Sequence, residues 1–281
     1  MTESADPGPL ADTRDLYLTL LKQALLGTLY EVSEIGPAIK PSNLPRRLVL
    51  AALRRRWVTL ARLVELDRSS IDEGHRASQQ GDTMIGRKRL DNVQSCVEDV
   101  IRAEIPGDLI EAGVWRGGAG ILMRGVLRAH GIKNRVVWVA DSFDGLPPPD
   151  PGRYPADRGD TFHKIRELAI SLDTVRANFE RYGLLDDQVE FLKGWFRDTL
   201  PQLAGHEWAV IRLDGDMYES TMDSLRGLHP GLSVGGYLIV DDYGSLEPCR
   251  LAVTDYRREQ GIDDEIKEID WTGVYWQRTH G

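Results

Sequence analysis

Cysteine is scarce: Cys96 and Cys249 are the only two in 281 residues. That excludes a disulfide framework and any zinc site built on grouped thiolates, and it suits the reduced thiols of a cytoplasmic protein. Histidine offers no metal site either. His75, His130, His163, His206, His229 and His280 are scattered without a pair at ligand spacing, which removes the zinc hydrolases. No apolar run approaches the ~18 residues of a membrane span. The first residues, MTESADPGPLADT, are acidic and rich in Pro and Gly, unlike a signal peptide. A basic excess is also missing: the formal net charge is −9, which argues against a general nucleic-acid binder.

The charge is uneven. Residues 1–68 carry ten Lys/Arg against eight acids, so the negative charge belongs to the remainder, and Arg46 to Arg62 contains six arginines and no acid. Such a run is ordinarily a solvated helix face. Leu18, Leu21, Leu25 and Leu29 recur at steps of three and four within residues 14–30, predicting an amphipathic helix. Residues 33–45, rich in Gly, Pro and Ser, read as a loop. A second helix is expected from Arg46 to Leu66, with Leu48, Leu50, Leu53, Trp57 and Leu60 on its apolar side. The polar stretch 67–83 reads as a mobile connector, and 84–104 as a helix entering the main domain. Two apolar helices near the N-terminus also make a homodimer an expectation.

Beyond Pro106-Gly107 the pattern changes. Short apolar runs at 108–114, 135–141, 188–194, 208–214 and 236–242 alternate with helical segments at 118–130, 171–182, 196–203 and 218–229. Continuous apolar strands separated by helices predict an α/β fold, a doubly wound, mostly parallel sheet covered on both faces. A helix at 248–260 and a strand pair at 265–270 and 273–278 complete the chain.

In such a sheet, ligands bind beyond the carboxyl ends of the strands. The first strand ends in a loop with Gly113, Gly117, Gly118 and Gly120, where the backbone can turn tightly and approach a ligand, and where Gly117 and Gly118 open the next helix. This is not the dinucleotide fingerprint, because Met123 stands where its third glycine would be. The second strand ends in Asp141, placed to accept both hydroxyls of an adenosine ribose, although a strand-end acid also serves as a loop or helix cap. Together these features suit an adenosine-type cofactor without choosing between NAD and S-adenosylmethionine. The fourth and fifth strands end in Asp214-Gly215-Asp216 and Asp241-Asp242. If the two strands are neighbours, four carboxylates converge, and a hard divalent cation relieves their repulsion. Alternation along an extended strand puts Asp214 and Asp216 on one face and sends Asp241 and Asp242 to opposite faces.

These residues resemble the macrocin O-methyltransferase (TylF-type) family, which methylates sugar hydroxyls on antibiotics. The matching pieces are Thr83-Met84-Ile85-Gly86, Arg89-Leu90-Asp91-Asn92, Glu111 to Gly118, Asp141 to Pro147, Leu213 to Tyr218, and Asp241-Asp242-Tyr243. The resemblance implies a class I methyltransferase domain over 84–281 with an antiparallel last strand, preceded by N-terminal helices and a mobile lid over 1–83. It implies S-adenosyl-L-methionine as donor, Mg2+ on Asp214, Asp241 and Asp242, and a glycosylated small molecule as acceptor. Asp216 matches a proposed general base, with Asp214 the other candidate for the proton. Met84, Ile85, Glu111, Gly113, Gly117, Asp141, Ser142, Gly194, Trp195 and Asp214 form the expected cofactor-binding set. A catechol-type magnesium enzyme, an NAD-dependent oxidoreductase and a non-catalytic scaffold are the competing readings.

Overall fold

Runs rich in Val, Ile, Leu and Trp form central parallel strands when helices cover both faces of the sheet. The computed structural model describes residues 8–29, 34–38, 44–55, 58, 61–65 and 67–280. Its main sheet contains β3 (Asp108–Ala112), β4 (Val137–Asp141), β5 (Val189–Lys193), β6 (Trp208–Leu213), β7 (Leu232–Val240), β8 (Lys267–Glu268) and β9 (Val274–Gln277). The strand order is β5-β4-β3-β6-β7-β9-β8. The first five are parallel, whereas β9 runs antiparallel to both β7 and β8. This is the doubly wound, mostly parallel α/β sheet expected, with its reversed last strand.

Two apolar layers sandwich the sheet. On one side lie α1 (Gly8–Leu25), α4 (Gly86–Arg102), α5 (Gly118–Ala129) and α6 (Leu172–Arg181), which bury Leu18, Leu21, Leu90, Val97, Leu122 and Phe179. On the other lie α8 (Tyr218–Leu228) and α9 (Glu247–Gln260), packed around Trp208, Leu225, Tyr256 and Trp276. The short α7 (Phe196–Thr199) follows β5.

The N-terminal region departs from expectation. Helix α1 begins and ends earlier than 14–30, although Leu18, Leu21 and Leu25 are buried as their spacing requires. The second helix, α2 (Leu44–Arg54), stops well short of Leu66; Trp57, Leu60 and Leu66 lie outside the described residues. Trp57-Val58-Thr59 are poor helix formers. The expected loop contains β1 (Glu34–Ala38), antiparallel to β2 (Ala61–Val64). Gly36 and Pro37 disguise this strand in the sequence, but an isolated pair is all edge, where both are tolerated. The connector 67–83 holds α3 (Arg68–Asp72) and buries Asp82 and Thr83.

Gly113 governs how the central strands end. Its φ is +90°, and a Cβ there would lie 1.9 Å from the Asp214 carbonyl oxygen. Neither backbone has room to yield, because the Asp214 N–H already donates to the Ala112 carbonyl at 2.9 Å. Gly113→Ala is expected to cost about 3 kcal/mol or more, combining a left-handed penalty with a backbone clash. Urea unfolding measures this, and wild-type stability would contradict it.

Candidate active site

The chain winds outward from β3 to β5 on one side and from β6 to β7 on the other. The crevice at this reversal lies between the ends of β3 and β6, the position where open α/β sheets bind ligands. A cavity of about 270 Å³ opens there. It brings together most of the expected cofactor residues: Met84, Ile85, Glu111, Gly113, Asp141, Ser142, Gly194, Trp195 and Asp214 all line it. Gly117 does not. It has φ +88° and faces Val175 and Phe179, so its absent side chain serves helix packing.

Asp141 organises the Gly loop as well as facing the cavity. Its carboxylate accepts from the Val114 N–H at 2.8 Å and the Phe143 N–H at 2.7 Å. Burial raises its pKa, and these backbone donors partly offset the rise. Glu111 is committed elsewhere: one oxygen accepts from Arg212 at 2.8 Å and the other from the Gly120 N–H at 2.7 Å. It joins β3 to the start of α5, and burial pushes its pKa up to about 8.

The segment before α4 is fastened over the cavity. The Asp82 carboxylate accepts from Arg181 at 2.6 Å and from the Tyr182 hydroxyl at 2.8 Å, while Arg116 donates to the Gly81 carbonyl at 2.6 Å. Thr83, Met84 and Ile85 are thereby held on the cavity wall.

The strand-end aspartates divide into two groups. Leu213 and Val240 are partners in the β6–β7 ladder, so Asp214 and Asp241 leave adjacent strands side by side. Alternation sends Asp241 inward, where it is buried and its two oxygens accept from Arg89 and Arg212. Asp242 points the other way. One oxygen each of Asp214, Asp216 and Asp242 lies within 4.8 Å of the others. The compact carboxylate set is therefore Asp214, Asp216 and Asp242; Asp241, expected among the metal ligands, leaves the neighbouring strand end with both oxygens facing guanidinium groups. Asp216 reaches the set by a turn rather than an extended backbone, with φ +57°.

Two arginines explain the arrangement. Arg212 is 1% exposed in the middle of the sheet and donates to Glu111, Asp214 and Asp241. Arg89, from α4, joins Asp241 to Asp270, the latter at 3.0 Å. Two guanidinium groups thus pair with four carboxyls, Glu111, Asp214, Asp241 and Asp270, and among the described residues no ion pair reaches Asp216 or Asp242. The excess shows in their protonation. Burial and neighbouring carboxylates raise Asp214 and Asp242 and push Asp216 up to about 8. Asp242 also has a buried Oδ2 with no hydrogen-bond partner among the described residues. A hard cation is the ligand that hard, crowded, unpaired oxygens suit.

Comparison with known proteins gives the family. The family model described as macrocin O-methyltransferase (TylF) matches residues 14–278. The chain belongs to the macrocin O-methyltransferase family. It is an O-methyltransferase, and S-adenosylmethionine is the donor in this family. It is 49% identical over 272 residues to the 8-demethyl-8-(2,3-dimethoxy-alpha-L-rhamnosyl)-tetracenomycin-C 4'-O-methyltransferase of Streptomyces olivaceus, covering 95% of this chain and 94% of that one. It is 46% identical to the mycinamicin III 3''-O-methyltransferase of Micromonospora griseorubida, covering 94% of this chain and 97% of that one. The solved structure of the O-methyltransferase NovP superposes with a TM-score of 0.81 at 47% identity, over 95% of this chain and all of that one.

Within this macrocin O-methyltransferase site, sequence reasoning missed Arg212, Asp157 and the Asp82–Arg181–Tyr182 contact. Arg212 had a signal: a cation inside an apolar strand must be paired where it is buried. Asp157 had none, since its partners, the Tyr218 and Glu219 N–H groups, are some sixty residues away.

The raised pKa of Asp216 gives a pH prediction. A carboxyl titrating near 8 when folded and near 3.8 when unfolded contributes stability that is present at low pH and lost as pH rises through that window. With EDTA present, wild-type stability should fall between pH 5 and 8 more steeply than that of Asp216→Asn, as read by urea unfolding. Equal slopes would contradict the assignment. Separately, Arg212→Met should cost about 3–5 kcal/mol in urea unfolding, because the buried Glu111 and Asp241 and the half-buried Asp214 lose their shared cation.

Proposed function

We propose that this enzyme moves a methyl group from S-adenosylmethionine to a sugar hydroxyl of a glycosylated natural product of the antibiotic type, and that it requires a divalent cation, Mg2+. The observation that carries the reading is the set of Asp214, Asp216 and Asp242 at the rim of a cofactor cavity, within 4.8 Å of one another. The Streptomyces olivaceus relative acts on a rhamnosyl compound, as its name states.

Asp214 and Asp242 would hold the cation, on the strength of their convergence and the unpartnered Asp242 oxygen. When bound, it supplies Lewis-acid polarisation of the acceptor hydroxyl, whose own pKa is far above neutrality. The remaining work falls to the chain itself. Asp141 accepts hydrogen bonds from the ribose hydroxyls, and Gly113, seated against the Asp214 backbone, keeps the ends of β3 and β6 together beside the cofactor. The acidic surroundings favour the positive sulfonium. Asp216 accepts the hydroxyl proton as the methyl group transfers. The segment up to residue 83 serves as the cover, with Thr83, Met84 and Ile85 excluding water from the transfer.

Mass spectrometry of glycosides incubated with S-adenosylmethionine tests this reading. A gain of one methyl with Mg2+ and its loss in EDTA are expected. Asp242→Asn should lower turnover at least about a hundredfold while still binding S-adenosylmethionine, the scale on which a lost electrostatic contact to the reacting group acts. Full activity in excess EDTA would refute the metal requirement. Methylation of a catechol in preference to a vicinal-diol sugar would refute the acceptor class.

A further inference from the structure

A second group of carboxyls lines the same cavity and takes no part in the chemistry above. Glu219 and Asp223 stand one turn apart on α8, so they share a helix face, and both line the cavity together with Arg197 from α7. Glu219 is 3% exposed. Its Oε1 accepts from Arg197 Nη1 at 3.1 Å, whereas its Oε2 is buried without a partner among the described residues. Leaving a buried carboxylate oxygen unpaired is costly.

The position of Glu219 is fixed from outside. The carboxylate of Asp157, itself buried, accepts from the Tyr218 N–H at 2.7 Å and the Glu219 N–H at 3.0 Å, pinning the first turn of α8 just beyond Asp216. Charge separates this group from the aspartate set. Arg197 offsets Glu219 directly, and Arg153, Arg197 and Arg226 all act on Asp223. A neutral donor therefore fits better than a metal ion. Hydroxyl groups are such donors, and a buried carboxylate that requires one discriminates strongly against a ligand lacking it.

We propose that Glu219, supported by Asp223 and Arg197, is a specificity subsite that accepts hydrogen bonds from hydroxyls of the acceptor sugar other than the one methylated. This rests on the sugar-methylating reading. The subsite orients the ring so that a single hydroxyl reaches Asp216, three residues earlier in the chain.

The test uses 4-nitrophenyl α-L-rhamnopyranoside and its monodeoxy analogues. Initial rates are measured on the full-length enzyme and on Glu219→Gln and Asp223→Asn, with S-adenosylmethionine affinity and melting temperature measured alongside. Glu219→Gln should raise KM for the rhamnoside about tenfold, the scale of one hydrogen bond to a charged group, with S-adenosylmethionine affinity unchanged. Asp223→Asn should move KM the same way by less. One monodeoxy analogue should show the same KM with wild type and Glu219→Gln, since the hydroxyl and the carboxylate form one contact. An unchanged KM, or an equal rise across all analogues, would overturn the subsite and leave Glu219 as a structural partner of Arg197. If wild type neither binds nor methylates any of the rhamnosides, the sugar reading fails and the subsite with it.

Discussion

A single buried cation, Arg212, sets the end of the sheet. A guanidinium in the middle of an apolar strand has no water to solvate it, so it must be surrounded by acceptors. Glu111 from β3, Asp214 at the end of β6 and Asp241 at the end of β7 meet that need. Because the three come from three adjacent strands, satisfying one side chain also registers three strand ends. Arg89 extends the same logic to α4 and to Asp270 near the last strand.

The functional surface follows from what these arginines leave over. Asp241 turns inward to them, and its neighbour Asp242 necessarily turns outward, towards Asp214 and Asp216. Acidity concentrates at that point because the buried cations balance only part of it. The backbone is strained nearby: Trp115 and Asp216 both line the cavity with positive φ. Such strain of order 1–3 kcal/mol persists only where surrounding contacts over-determine it. The first turn of α8 donates two N–H groups to Asp157 and the Trp115 indole N–H donates to the Glu167 carbonyl, which supplies them.

The sheet and the cavity were legible in the sequence because both write local signals. Each parallel strand is a run of apolar residues, and each functional side chain sits at a strand end beside glycines or acids. Asp141, Asp214, Asp216 and Asp242 could be found that way. The division between Asp241 and Asp242 was half legible: alternation sends them to opposite faces, but which face carries the arginines depends on Arg89, contributed by a helix far away in sequence. Asp157 and Asp82 were illegible for the same reason, since a lone acid in a loop gives no sign of a partner elsewhere in the chain. Strand β1 was hidden by Gly36 and Pro37, whose loop preference holds except on an edge strand.

Where the carboxylates point decides the chemistry, and anomalous diffraction from crystals grown with Mn2+ and S-adenosylhomocysteine tests that directly. The expected result is one manganese peak between Asp214 and Asp242, beside Asp216, with Asp241 still held by Arg89 and Arg212. A peak elsewhere, or an ion that draws Asp241 away from both arginines, would contradict it.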